Sequence, residues 1–340
     1  MTAPGPRAPS PTLDEVARLA GVSRATVSRV VNDSPRVSPQ ARRAVQDAVA
    51  QLRYVPNPMA RSLVTRRTGA IALVLSEPDS RLFSDPFFAS IVRGLNEALA
   101  QSDIHLVLLT ARDAREQEKV GRYARQGHVD GVVLMSLHSD DLLPDLLTGA
   151  GVPLVLCGRP LDGRDVAHVD ADNLGGARTA TAHLLGLGRR RVATIAGRPD
   201  MVAGRDRLAG WRAALADAGV GAELVADGDF TEAGGARAMA ELLDRDPGLD
   251  AVFAASDLMA VGALRVLRAA GRDVPGDVAV VGFDDAVVAA TCDPPLTTVA
   301  QPLAEMTRLM TELLLAQVDR VAGPAGSHVC PTRLVRRDSA

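Results

Sequence analysis

Residues 12–33 read TLDEVARLAGVSRATVSRVVND. Thr12 is placed to cap a helix. Leu13, Val16, Ala17 and Ala20 follow at i, i+3, i+4 and i+7, a single apolar stripe. Gly21-Val22 breaks that helix, and Ser23 is placed to cap a second one, RATVSRVVN. In it Val27, Val30 and Val31 face inward, while Arg24, Ala25, Ser28, Arg29 and Asn32 fall on the opposite face. Ser38-Pro39, an N-cap followed by proline at the first helical position, opens a third helix that buries Val45, Ala48, Val49 and Leu52. Helix, short glycine turn, helix is the helix-turn-helix pattern. Its second helix lies in the major groove with its first residues at base edges. Arg24 and Arg29 can each make paired bonds to guanine, and Ala25 can pack on a thymine methyl. Ser23, Thr26, Ser28 and Asn32 offer donors to phosphates. Spacing alone also fits a small three-helix bundle with a solvated arginine face.

Charge separates this head from the rest of the chain. The 340 residues carry 38 basic and 41 acidic groups, a net charge of -3. Residues 1–67 hold eleven arginines against Asp14, Glu15, Asp33 and Asp47, a net +7, which leaves −10 for residues 68–340. A basic head on an acidic body suggests a polyanion-binding module joined to another function. The length allows a small domain beside a larger unit. With 47% hydrophobic and 23% charged residues the chain can bury a sizeable core.

Several classes are excluded or disfavoured. No apolar run approaches the roughly 18 residues that span a bilayer. MTAPGPRAPSP has no apolar core region, so residues 1–11 read as a flexible tail rather than a secretory signal, and the cytoplasm is expected. Cys157, Cys292 and Cys330 lie far apart and read as buried apolar residues, not as metal ligands or a disulfide framework. Lys119 is the single lysine and sits in AREQEKVGRY. A Gly-x-x-x-x-Gly-Lys phosphate loop is therefore impossible, and no Gly-x-Ser-x-Gly elbow is present. Neither metal nor cofactor is expected.

From Ala70 the pattern changes. AIALVLS, IHLVLLT, GVVLMSL and PLVLCG are short continuous apolar runs separated by helical stretches. The alternation restarts at RVATIAG, DAVFAAS and DVAVVGF. Such repeats predict two parallel sheets covered on both faces, hence a two-lobed α/β body with a cleft. Ligands of open α/β sheets sit at the carboxyl ends of strands, which selects the following loops. Those loops carry Phe83, Asp85, Phe87 and Phe88, then Arg159, then Arg205 and Arg207, Phe230, Ser256 and Asp257, and finally Asp284 and Asp285. Rings stack on sugar faces, while Arg and Asp hold hydroxyls through charge-assisted bonds. Each aromatic also fits plain core packing, Arg207 a surface helix terminus, and Asp257 the N-cap of LMAVGALRVL.

TLDEVARLAGVSRATVSRVVND, continued by VSPQARRAVQDAVAQLRYVPNPMARSL, resembles the N-terminal signature of the LacI/GalR family of bacterial transcription regulators. DNLGGARTATAHLLGLGRRRVATIAG, AASDLMAVGALRVLRAAGRDVPGDVAVVGFDD and PPLTTVAQP extend the resemblance almost to the end. It implies a helix-turn-helix domain over 12–56, a hinge over 57–68, and a periplasmic-binding-protein-like effector and dimerisation domain over 69–340. Lobe one is expected at 69–171 plus 301–323, and lobe two at 172–300 plus 324–340. Arg24, Ala25 and Arg29 become the base readers. Asn57, Ala60, Arg61 and Leu63 fall in a hinge helix that orders on operator DNA, with Leu63 matching the leucine wedged into the central base step. Composition alone also allows a plain linker there, since so short a helix is marginal by itself. Arg207 and Asp284 match the ligand-gripping pair, and Phe87, Phe88 and Phe230 match pocket positions; Arg159 joins them from its loop. Ser256 stands where many members have Asn. Arg53 replaces the usual Gly before the tyrosine, and Arg189 replaces a frequent His.

Three classes follow. A dimeric repressor of carbohydrate-metabolism genes, released from a pseudo-palindromic double-stranded DNA operator by a sugar or sugar derivative, is the expected reading. The same architecture with a co-repressor such as a nucleobase is its nearest alternative. A sugar-binding transport protein would not need residues 12–67. An enzyme would need chemistry that the body does not offer; the Asp284-Asp285 pair could be read as a carboxylate dyad, but Asp284 is better read as a hydroxyl acceptor. The chain closes at LVRRDSA without the heptads that make some members tetramers, so the resemblance implies a homodimer.

Overall fold

The computed structural model describes residues 11–31, 36–54, 67–323 and 326–340, and the chain divides into two compact units, 1–68 and 69–340. The expected hinge residues Asn57, Ala60, Arg61 and Leu63, and the phosphate-contact candidate Asn32, lie outside the described residues.

The first unit holds α1 (Leu13–Ala20), α2 (Arg24–Val31) and α3 (Pro39–Leu52). Thr12 and Glu15 close a capping box on α1: Thr12 Oγ1 accepts from the Glu15 amide at 3.3 Å, and Glu15 Oε2 accepts from the Thr12 amide at 2.7 Å. Ser23 Oγ accepts from the Thr26 amide at the start of α2, and Ser38 Oγ accepts from the Ala41 amide at the start of α3. The three stripes meet in a core of Val16, Ala17, Val27, Val30, Val45, Ala48 and Tyr54. Val31, Val49 and Leu52 pack at its edge, half-buried. Arg53 ends α3 in the left-handed region (φ 49°, ψ 39°), the conformation that the missing glycine would have taken without strain.

The second unit contains two six-stranded sheets. The first comprises β1 (Ala70–Leu75), β2 (His105–Thr110), β3 (Gly131–Met135), β4 (Leu154–Cys157), β5 (His168–Ala171) and β11 (Ser327–Cys330), in the order β11-β5-β4-β3-β1-β2 and all parallel. Side chains alternate across β1. Ile71, Leu73 and Leu75 pack under α5 (Pro86–Leu99) and α13 (Leu303–Asp319), while Ala72 and Val74 pack under α6 (Ala114–Arg125) and α7 (Leu143–Thr148). Burial on both faces is why these strands read as unbroken apolar runs. A six-residue helix, α4 (Asp79–Ser84), sits between β1 and α5.

The second sheet runs β12-β10-β9-β8-β6-β7, from β6 (Val192–Ala196), β7 (Val225–Asp227), β8 (Ala251–Ala254), β9 (Ala279–Asp284), β10 (Thr297–Ala300) and β12 (Arg333–Val335). On one face α8 (Asn173–Gly186) and α9 (Val202–Asp217) bury Trp211, Phe253 and Phe283. On the other, α10 (Glu232–Arg245) and α11 (Asp257–Ala269) bury Met239, Leu242, Met259 and Leu267. A five-residue helix, α12 (Val287–Thr291), follows β9.

Two expectations change. β11 pairs with β5, so residues 327–330 belong to lobe one, not to lobe two as 324–340 was expected to. Four short residues, SHVC, give no run long enough to be seen, yet their parallel ladder completes the first sheet's edge. The second sheet is not wholly parallel, because β12 returns antiparallel to β10. The chain thus crosses between the lobes three times: after β5, after β10 and after β11. Thr332 Oγ1 donates to the Asp172 carbonyl and joins two of these crossings.

Candidate functional site

A cavity opens between the two sheets of the second unit, where the carboxyl ends of their strands face each other. All seven expected effector residues, Phe87, Phe88, Arg159, Arg207, Phe230, Ser256 and Asp284, line it. Phe87 and Phe88 sit in the first turn of α5, whose N-cap Asp85 accepts from the Phe87 amide at 3.0 Å. Their rings meet edge to face at 5.7 Å. Phe230 precedes α10 with φ 63°, and a Cβ on Gly197 would lie 2.2 Å from its ring. Glycine at 197 is what lets that ring close over the end of β6. Of the described non-glycine residues with positive φ, Ser136, Phe230 and Asp284 all line the cavity, so backbone strain concentrates at this site.

Arg207 is the buried centre of the polar wall. Its Nε donates to Asn173 Oδ1 at 2.8 Å, and its Nη1 donates to the Ala255 carbonyl at 2.6 Å and to Asp284 Oδ1 at 3.2 Å. Its guanidinium also lies 3.7 Å from the centroid of Phe283. It is therefore no surface helix charge. Gln301 Nε2 donates to the same Asp284 oxygen at 2.7 Å. Burial raises the Asp284 carboxyl to about 6, against the pull of Arg207. Burial lowers the pKa of Arg207 in turn.

Ser256 lines the cavity, but its hydroxyl already accepts from the Met259 amide as the N-cap of α11. Asp257, read from sequence as that cap, is instead the first helical residue. Its carboxylate takes the Thr298 hydroxyl at 2.5 Å and the Ala286 amide at 2.7 Å. Burial and then the neighbouring Asp284 charge raise its pKa well above the usual range. Phe83 is 83% exposed on α4 and does not line the cavity. Asp285 turns away to Arg337 at 2.6 Å, and Arg205 Nε donates to the Pro199 carbonyl. Arg189, read as structural, donates to the carbonyls of Pro275 and Gly276.

Links between the lobes ring the cavity. Arg159, exposed after β4, holds both oxygens of Asp206 on α9, at 2.7 and 2.6 Å. His138, after β3, bonds Asp200 of lobe two through Nδ1 at 2.9 Å and lies 3.4 Å from Glu77 through Nε2. Burial alone would lower the His138 pKa, but the Glu77 and Asp200 carboxylates outweigh it and raise it. Arg81, on α4, pairs with Glu77 and stands over the rings of Phe88 and Phe230.

Sequence reasoning missed Arg81, Asp170, Asn173, Gln301 and His138. Asp170 and Asn173 lie in HVDADN at the end of β5, a strand of four residues with no apolar run to announce it. Arg81 rides a helix too short for periodicity. Gln301 stood in the quoted PPLTTVAQP, and its place beside β10 was the available signal.

In the first unit Ser23, Arg24, Ala25 and Arg29 are exposed along one face of α2, and Thr26 and Ser28 are half-buried. Arg24 approaches Asp14 at 3.8 Å, a solvated pair that holds it weakly. Ser23 Oγ and Thr26 Oγ1 bond each other at 2.9 Å. Among the described residues no helix is long and apolar enough to cross a membrane, and no cluster of His, Cys, Asp and Glu could hold a metal.

Residues 181–340 match the periplasmic binding protein-like domain, and residues 12–57 match the bacterial regulatory proteins of the lacI family. The transcriptional regulator CelR of Thermobifida fusca is 55% identical over 329 residues, covering 96% of this chain and 95% of its own. The structure of a transcriptional regulator CelR–cellobiose complex, 52% identical, superposes with a TM-score of 0.78 over 97% of this chain and 100% of that one. The lac repressor dimer bound to operator and the anti-inducer ONPF, 28% identical, gives 0.86 over 97% and 99%. With a DNA-reading helical unit, a two-lobed α/β unit and relatives that are regulators rather than enzymes, this chain belongs to the lacI family of bacterial regulatory proteins.

Proposed function

We propose that this chain is a repressor of carbohydrate-metabolism genes that acts in the cytoplasm as a homodimer on a pseudo-palindromic operator and is released by a sugar or sugar derivative. The observation that carries the ligand half is the inter-lobe cavity, where Phe87, Phe88 and Phe230 supply rings and Arg207, Asp284, Ser256 and Arg159 supply polar groups. Rings that stack on the apolar face of a pyranose, next to charge-assisted hydroxyl partners, form a polyol site. The cellobiose of the CelR complex and the operator-bound lac repressor dimer support the same reading.

On the DNA side, Arg24, Ala25 and Arg29 read bases, and Ser23, Thr26, Ser28 and Asn32 meet phosphates. Residues 57–68, with Asn57, Ala60, Arg61 and Leu63, act as the hinge. The effector changes how the lobes sit against each other, and with it whether two hinges can form together on one operator. No cofactor or membrane surface has a part in this scheme. A thermal-shift screen of sugars, phosphosugars and nucleobases tests it, followed by operator retention in the presence of each hit. Release by a sugar is expected. A hit that strengthens retention would make the ligand a co-repressor, and an operator response to nucleobases alone would remove the sugar reading.

A further inference from the structure

The charges of the cleft are paired in a way that limits what it can hold. Three arginines line it, and each already has its own carboxylate: Arg81 has Glu77, Arg159 has Asp206, and Arg207 has Asp284. Two more carboxyl groups, Asp85 and Asp170, line the same cavity. Asp170 is 5% exposed. Its Oδ1 accepts from the Ala171 amide at 2.9 Å and from Asn173 Nδ2 at 3.0 Å. Its Oδ2 is buried and has no hydrogen-bond partner, and neither has Arg81 Nε across the same lobe-one wall. A buried acceptor without a donor is costly, and buried polar atoms in native proteins are nearly always satisfied.

We propose, on the basis of the effector reading of this cleft, that Asp170 is a specificity-determining residue that accepts a hydroxyl proton from a neutral, polyhydroxylated saccharide and excludes its phosphorylated form. A hydroxyl group donates to the bare Oδ2, and a ring or hydroxyl oxygen accepts from Arg81 Nε. Asp170 of lobe one and Asp284 of lobe two then grip one ligand from opposite walls, so that binding draws the lobes together. A phosphate would enter a cavity whose cations are all compensated and whose two remaining carboxyl groups repel it. Burial raises the Asp170 pKa against the approach of the Arg159 backbone amide, which falls short of a hydrogen bond to Oδ2, and against the Arg159 charge.

The test is calorimetric titration of the full-length protein with cellobiose, glucose, galactose and ribose, each beside its monophosphate. Wild type is expected to bind one neutral sugar and to bind its phosphate at least about 100-fold more weakly. Asp170→Asn should lose about 10–100-fold for the neutral sugar, the range of one charge-assisted hydrogen bond. It should also narrow the discrimination against the phosphate. A series of monodeoxy analogues separates recognition from mere structural damage. One analogue should lose affinity for wild type and lose nothing further against Asp170→Asn, whereas a uniform loss across the series would overturn the assignment. A phosphorylated sugar bound as tightly as its parent would leave the effector reading standing and overturn the neutral-ligand inference. If no saccharide of the panel binds, the effector reading itself fails and this inference with it.

Discussion

An ionised Asp284 accepts from a hydroxyl through a charge-assisted bond, yet burial holds its pKa near 6 rather than 3.8. As pH falls through about 6 the carboxylate takes up a proton and the charge-assisted bond weakens to a neutral one. Sugar affinity should therefore drop between pH 7.5 and pH 5, and Asp170, raised by burial too, acts in the same sense. Titrations across that range check it; a flat profile would place the ionised grip elsewhere. The folding sign is the reverse: a carboxyl group raised in the folded state disfavours folding as pH rises from 3.8 through 6, and Asp284→Asn should remove that part of the pH dependence. At this scale the sequence was informative where a residue type is forced by chemistry at a strand end. Phe87, Phe88, Phe230, Arg207 and Asp284, picked out in the segments that follow apolar runs and matched to pocket positions by resemblance, all line the cavity. It was uninformative where two residues compete for one role, as when Ser256 takes the α11 cap and leaves Asp257 to tie β10 and the start of α12 together.

Among the elements, the loops after β3 and β6 meet through His138, which faces Glu77, Asp200 and Asp141, with Arg81 and Arg198 behind the carboxylates. Its folded pKa lies above the ordinary 6.5. The stability it supplies is thus fully present below about 6.5 and fades as pH rises through the folded value. His138→Gln should lower stability by on the order of 1–2 kcal/mol at pH 6 and by much less at pH 9, read as the difference in melting between the two proteins at each pH. An equal gap at both pH values would show that packing, not charge, holds this link. The doubly covered strands β1, β3, β4, β6, β8 and β9 were visible as apolar runs, β4 and β8 with only four residues each because every one of those is apolar. β5, β7, β11, β12 and α4 were not, since each is short and interrupted by polar residues such as His168, Asp170, Asp227, Ser327, Arg333 and Arg81, so no apolar run or period stands out.

For the molecule as a whole, the two functions divide along the charge. The +7 of residues 1–67 is expected to displace counterions from DNA, while the −10 of the remainder is expected to meet a neutral ligand. Operator affinity, measured by fluorescence anisotropy, should fall by at least about 100-fold between 50 and 200 mM salt. Sugar affinity measured over the same range should stay within about two-fold, because a neutral ligand releases no counterions. A steep salt dependence of sugar binding would mean that the ligand is charged. Two tandem α/β units were legible from the repeated alternation. The weaving between them was not, because a crossing of one or two residues leaves no mark in composition.

That weaving has a mechanical consequence. Three short crossings, two of them bonded to each other through Thr332 and Asp172, would act as an axle and favour one rotation of the lobes. Gln301, in the crossing after β10, holds Asp284 close to that axle. The Asp200 and Asp206 links reach strands β3 and β4, two positions and one position out from β5, or about 5–10 Å at the usual strand spacing. A turn of roughly 20° moves such points by about 2–3 Å, enough to part a hydrogen bond at the rim while barely disturbing one at the pivot. The cleft therefore opens like a door whose latch lets go long before its hinge is strained.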